Sequence, residues 1–69
     1  MDKRTASNVI GSLLECQSAL DSALAIAETI QDETERAAIV APIKTAIGEI
    51  LTEGIMPIAS QHPELNPYD

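Results

Sequence analysis

Two segments of this chain carry apolar residues at helical spacing on faces wider than one packing partner can cover. In residues 5–31 a first stripe runs Ala6, Leu13, Leu20, Ala27. A second runs Val9, Cys16, Ala23, Ile30, and a third places Ile10 and Leu24 beside Ala19 and Ile26. All repeat near the period of an α-helix. In residues 33–60, Ile39, Ile43, Ala46 and Ile50 form one stripe. Val40, Ile47, Leu51, Ile55 and Ile58 form another, roughly 100° around the helix. The spacing predicts an all-α chain, an antiparallel two-helix hairpin that buries one stripe of each helix against the other. The remaining stripes call for a second chain. The expected assembly is a dimeric four-helix bundle or a higher oligomer. Its expected interface is Leu13, Leu20, Leu24, Ile39, Ile43, Ile47, Ile50 and Leu51.

Length points the same way. Sixty-nine residues make one small domain, and a chain of that size buries only roughly 60% of its unfolded surface. Cys16 is the only cysteine and His62 the only histidine, so neither a disulfide framework nor a metal staple is available within the chain. Oligomerisation is the remaining common route to stability. The apolar residues are mostly alanine and branched aliphatics, and Tyr68 is the sole aromatic. Each small side chain buries little area, at about 25 cal/mol per Å², which again favours a shared core.

The segments divide the chain into a helical hairpin at 1–60 and a tail at 61–69. Helix 1 is expected over about 5–31, capped by Thr5 or Ser7, with Gly11 loosening its first turns. A turn at Gln31 and Asp32 forces the helices to lie side by side. Asp32 with Glu35 three residues on has the spacing of a capping box. Glu33 and Glu35 suit the positive end of the helix dipole. Helix 2 is expected over about 33–60. Pro42 cannot donate to the carbonyl of Ala38, yet the stripes pass through it in phase, so a kink is expected rather than a break. Gly54 marks a second expected bend. Pro63 and Pro67 make residues 61–69 an extended tail, in which Leu65 and Tyr68 are the groups able to fold back on the bundle or dock elsewhere.

The net charge is −7, and the carboxylates concentrate at Glu28, Asp32, Glu33 and Glu35. That balance disfavours a nucleic-acid polymer or an anionic membrane surface as partner. Polar residues Asn8, Ser12, Glu15 and Gln17 interrupt the stretch after Lys3 and Arg4, which predicts neither a leader peptide nor a span and makes the cytoplasm the expected location. No glycine-rich phosphate loop, nucleophile triad or zinc spacing is present. Carboxylates at an exposed turn have no cleft in which their proton affinities would separate. Cys16, on an apolar stripe with no base near it, reads as a core residue, and His62 as a solvated tail residue. Gln17 and Gln31 share the face of Ile10 and Leu24, where they read as solvated boundary residues or, Gln17 being the better placed between apolar neighbours, as a register-setting polar group.

These features predict a non-enzymatic, cofactor-free protein. It is expected to act as an acidic helical oligomer, a protein-binding adaptor or regulator whose partners are itself and another protein. One alternative comes from a resemblance. Glu35-Arg36 followed by Ile43, Ala46 and Ile47 is similar to a stretch of phage-encoded helical-hairpin sponges, which sequester the cyclic nucleotides of bacterial immune signalling. The resemblance implies a small anionic ligand held by Arg36 and Lys44 pooled across several chains. The chain departs from that pattern in having few basic residues and no aromatic within its helices. Arg36, Lys44 and Tyr68 are the candidate ligand or partner contacts.

Overall fold

The computed structural model describes residues 1–69 and is helical throughout, with no strand. Helix α1 spans Lys3–Ala27 and α2 spans Glu33–Glu49. A π-helical segment, Ile50–Ile55, leads directly into α3, Met56–Gln61, and a single 3₁₀ turn covers Pro63–Leu65. The two long helices pack as a hairpin measuring 46 × 19 × 15 Å between Cα positions.

Helix α1 begins earlier than its apolar stripe suggested. Asp2, in extended conformation, is its N-cap, and the carboxylate accepts the Thr5 backbone N–H at 3.1 Å. Thr5 and Ser7 are therefore inside the helix. The bonds from Thr5, its side chain first, hold the Asp2 carboxyl below its ordinary 3.8. The helix also ends earlier, at Ala27, so the connection is longer than two residues. Thr29 and Ile30 turn back onto the carbonyls of Ile26 and Ala27, and the Thr29 hydroxyl caps Ile26. Asp32 then caps α2 by accepting from Thr34 N–H at 3.2 Å. The Glu35 carboxylate makes no return bond, so the cap is one-sided rather than a box.

Helix α2 runs through Pro42 without interruption. The register change comes later. Ile50 N–H is shared between the carbonyls of Ala46 and Ile47, and Met56 N–H reaches back five residues to Leu51. One extra residue in the turn rotates everything after it by about 100°. In an unbroken α-helix Pro57 would follow Ile43, Ile50 and Gly54 onto the inner face. Instead Ile55, Ile58 and Ala59 are buried, while Met56 and Pro57 are exposed. Pro57, in the first turn of α3, sits where a missing N–H is tolerated. Gly54 leaves room for the Leu13 side chain, for a Cβ there would lie 3.1 Å from Leu13 Cδ1.

The buried core is thin. It comprises Ala6, Ile10, Ala27, Ile55, Ile58 and Ala59. Ala6, Ile10 and Ile58 form one cluster with Leu13, Leu14 and Leu65 packed on it. On α1 the inner seam is Ala6, Ile10, Leu13, Gln17, Leu20, Leu24, Ala27, the first stripe alternating with Ile10, Gln17 and Leu24 at the 4-3 spacing of a heptad. Ala19 and Ile26, which the spacing grouped with Ile10 and Leu24, are exposed. Of the second stripe, Val9 and Cys16 are exposed, while Ala23 and Ile30 are half-buried. Cys16, expected in the core, is exposed because the inner seam lies one flank over.

Candidate functional site

The residues able to meet a partner fall into three places: the turn, the closed end of the tail, and an uncovered flank. At the turn, the Arg36 guanidinium donates from Nη1 to the Ile30 carbonyl at 2.8 Å. This part-buried bond satisfies a carbonyl that neither helix can reach. A shallow groove of about 290 Å³ beside it is lined by Glu28, Glu33, Arg36, Ala37 and Val40. Two carboxylates face one cation there, so the groove's net field is negative. Lys44 is exposed and lies outside this groove. Within one chain Arg36 and Lys44 are not brought together.

At the other end the tail folds back on α1. Leu65 packs on the Ala6–Ile10–Ile58 cluster. The Tyr68 hydroxyl donates to Gln17 Oε1 at 3.0 Å, with the ring still 54% exposed. Gln17, which the sequence suggested as a register group, thus has a partner in its own chain. His62 is not a solvated tail residue. Its ring is half-buried, and Nε2 donates to the Met1 carbonyl at 3.0 Å. Glu64 Oε1 lies 3.7 Å from both His62 Nδ1 and Lys3 Nζ. Nothing in the sequence pattern signals this knot, because it joins residues at opposite ends of the chain.

The third place is the flank of α1 opposite the tail. Ile26 is 71% exposed, Val9 36% and, on α2, Ile39 45%. Cys16 and Ala19 are exposed between them. A groove of about 350 Å³ opens on this flank, lined by Thr5, Asn8, Val9, Ser12 and Leu13. Of the other interface candidates, Leu13, Leu20, Leu24, Ile43, Ile47, Ile50 and Leu51 are half-buried along the hairpin seam or at its edge. Helix α1 is also long and apolar enough to cross a membrane by length and composition alone, although Asn8, Ser12, Glu15 and Gln17 interrupt it. No group of three or more His, Cys, Asp or Glu is placed to hold a metal ion.

Comparison with protein-family models, with curated proteins and with solved structures gives no match.

Proposed function

We propose that this chain is a non-catalytic helical oligomer that works by binding another protein, as an adaptor or regulator. Its hairpins pair into a four-helix bundle, and Pro42 bends the second helix so that its two stripes follow different neighbours. One observation carries this reading: only six of 69 residues are buried, while Val9, Ile26, Ile39 and Met56 remain exposed on the outside of an otherwise regular hairpin. A chain that buries so little of itself commonly completes its core with a partner. The negative turn and the occupied Arg36 weigh against an anionic ligand in the turn groove of a single chain.

Sedimentation at low micromolar concentration, paired with calorimetry against cyclic dinucleotides and trinucleotides, tests the proposal. The expected result is a discrete oligomer with no saturable heat. A folded monomer overturns the oligomer reading. Stoichiometric nucleotide binding replaces the adaptor with a ligand-sequestering protein.

A further inference from the structure

We infer that the uncovered flank of α1 receives the same flank of a second copy of this chain, antiparallel, about a two-fold axis between Cys16 and Ala19. The inference rests on the oligomer reading above and specifies its geometry.

The flank is a second heptad seam: Val9, Ser12, Cys16, Ala19, Ala23, Ile26. It is nearly palindromic in size. A large aliphatic stands at each end, and small residues fill the middle. A two-fold interface must be self-complementary. Antiparallel pairing about the centre sets Val9 against the partner copy's Ile26, Ser12 against its Ala23 and Cys16 against its Ala19. The small central residues let the helix axes approach closely, and the large end residues fill the widening gaps.

The groove on this flank supplies the receptor for one of those large residues. Thr5, Asn8, Val9 and Ser12, four of its lining residues, are spaced i, i+3, i+4, i+7, the diamond of a knobs-into-holes packing. Ile26, at 71% exposure, is the knob. The register that centres the seam brings the Ile26 of one copy to the hole around Val9 of the other. Two such insertions close the dimer.

Charge selects the orientation. Glu28, Asp32, Glu33 and Glu35 crowd the turn, whereas Lys3 and Arg4 lie at the far end of α1. Arg4 is exposed and forms no ion pair, the ion contacts at that end being those of Lys3 and His62 with Glu64. Parallel copies would stack one acidic turn on another. Antiparallel copies separate them by the length of α1 and bring each to the level of the other copy's unpaired Arg4, at an end where Lys3 offsets Glu64 and Asp2 is the remaining carboxylate. Area limits what the α1 flank can do alone. The seam from Val9 to Ile26 runs roughly 26 Å along α1 at about 1.5 Å per residue, well short of the 46 Å length of the hairpin, so a standard interface of roughly 800 Å² per partner also needs the α2 side. Ile39 widens the patch on the α2 side. On a helical wheel its stripe falls on the same side of the hairpin as the α1 seam.

Disulfide trapping in a Cys16→Ser background tests the pairing. Val9→Cys with Ile26→Cys should give a covalent dimer under oxidised glutathione, and neither single substitution should. Within one chain those positions are too far apart on a single helix to bridge. Separately, Ala19→Glu should weaken dimerisation by about a hundredfold or more, with the helical circular dichroism retained because Ala19 touches nothing in the hairpin core. Ser18→Glu, on the polar face, should leave the mass unchanged. Crosslinking by either single substitution shows parallel pairing and overturns the inference. A wild-type dimer insensitive to Ala19→Glu overturns it while leaving the oligomer reading intact. A wild-type monomer overturns both. Co-flotation of the wild type with phosphatidylcholine vesicles, lost in Ala19→Glu, assigns the flank to lipid and also overturns it.

Discussion

Tyr68 and Gln17 are joined by a hydrogen bond of 3.0 Å across 51 positions of sequence. The bond fixes the end of the tail along one flank of α1, with Leu65 packed under the same stretch. The tail thereby covers the Ile10 and Leu14 side of the helix and leaves the Val9 and Ile26 side bare. The asymmetry of the hairpin originates in that contact.

Removing the two tail anchors should have unequal effects. Tyr68→Phe deletes one exposed hydrogen bond and should lower stability by about 0.5 kcal/mol or less. Leu65→Ala removes half-buried aliphatic packing and should cost about 1–2 kcal/mol. Urea unfolding of the two variants checks the order. A larger loss for Tyr68→Phe would make the hydroxyl, not the leucine, the anchor.

Arg36→Met keeps the apolar stem of the side chain but strips the Ile30 carbonyl of its donor. A loss of about 1.5 kcal/mol is expected, as for hydrogen bonds to charged groups. The same unfolding measurement checks it, and an unchanged midpoint would free Arg36 for a role outside the turn.

The three glycines should separate into two classes. Nothing lies within 4 Å of a Cβ built at Gly11 or Gly48. Alanine at either should add about 0.5–1 kcal/mol through helix propensity alone. At Gly54 the added methyl meets Leu13 Cδ1 at 3.1 Å, so Leu13 must shift and the gain should be cancelled or reversed. Thermal melts of the three variants test this, and equal gains would mean that the π segment does not constrain Leu13.

The Asp2 cap should fade in acid. Its folded-state carboxyl titrates below the ordinary 3.8 because Thr5 bonds to it. The stabilisation is therefore present above the unfolded value and is lost as pH falls through the lowered folded value. Wild type should melt above Asp2→Ala at neutral pH, and the gap should shrink only below about pH 4. A gap that closes between pH 5 and 7 would point to another group.

Pro42→Ala restores a backbone donor toward the Ala38 carbonyl in a helix that already runs through that position. Helicity and unfolding free energy of the chain should rise, by about 1 kcal/mol or more. If the proline shapes the bundle, association should weaken at the same time. Circular dichroism and sedimentation on one sample separate the two effects, and higher stability at unchanged mass makes the proline incidental.

That the chain is two long helices joined near Asp32 was legible in the residues alone, because apolar period, a capping aspartate and a short polar connection are local signals, each readable within a few residues. The sequence also showed that α1 carries more than one stripe, since Val9, Cys16 and Ala23 repeat as regularly as Ala6, Leu13 and Leu20. Which seam faces α2 was not legible, because periodicity carries no information about direction. Tertiary packing placed the inner seam on Ala6, Ile10 and Leu13 and left Cys16 outside. It also inserted the π turn at Ile50–Ile55, where keeping α-helical register would have turned Pro57 inward and Ile55 out. The His62–Met1 and Tyr68–Gln17 bonds join chain segments that no local pattern relates. Their geometry exists only once the hairpin has brought α3 and the tail beside the start of α1.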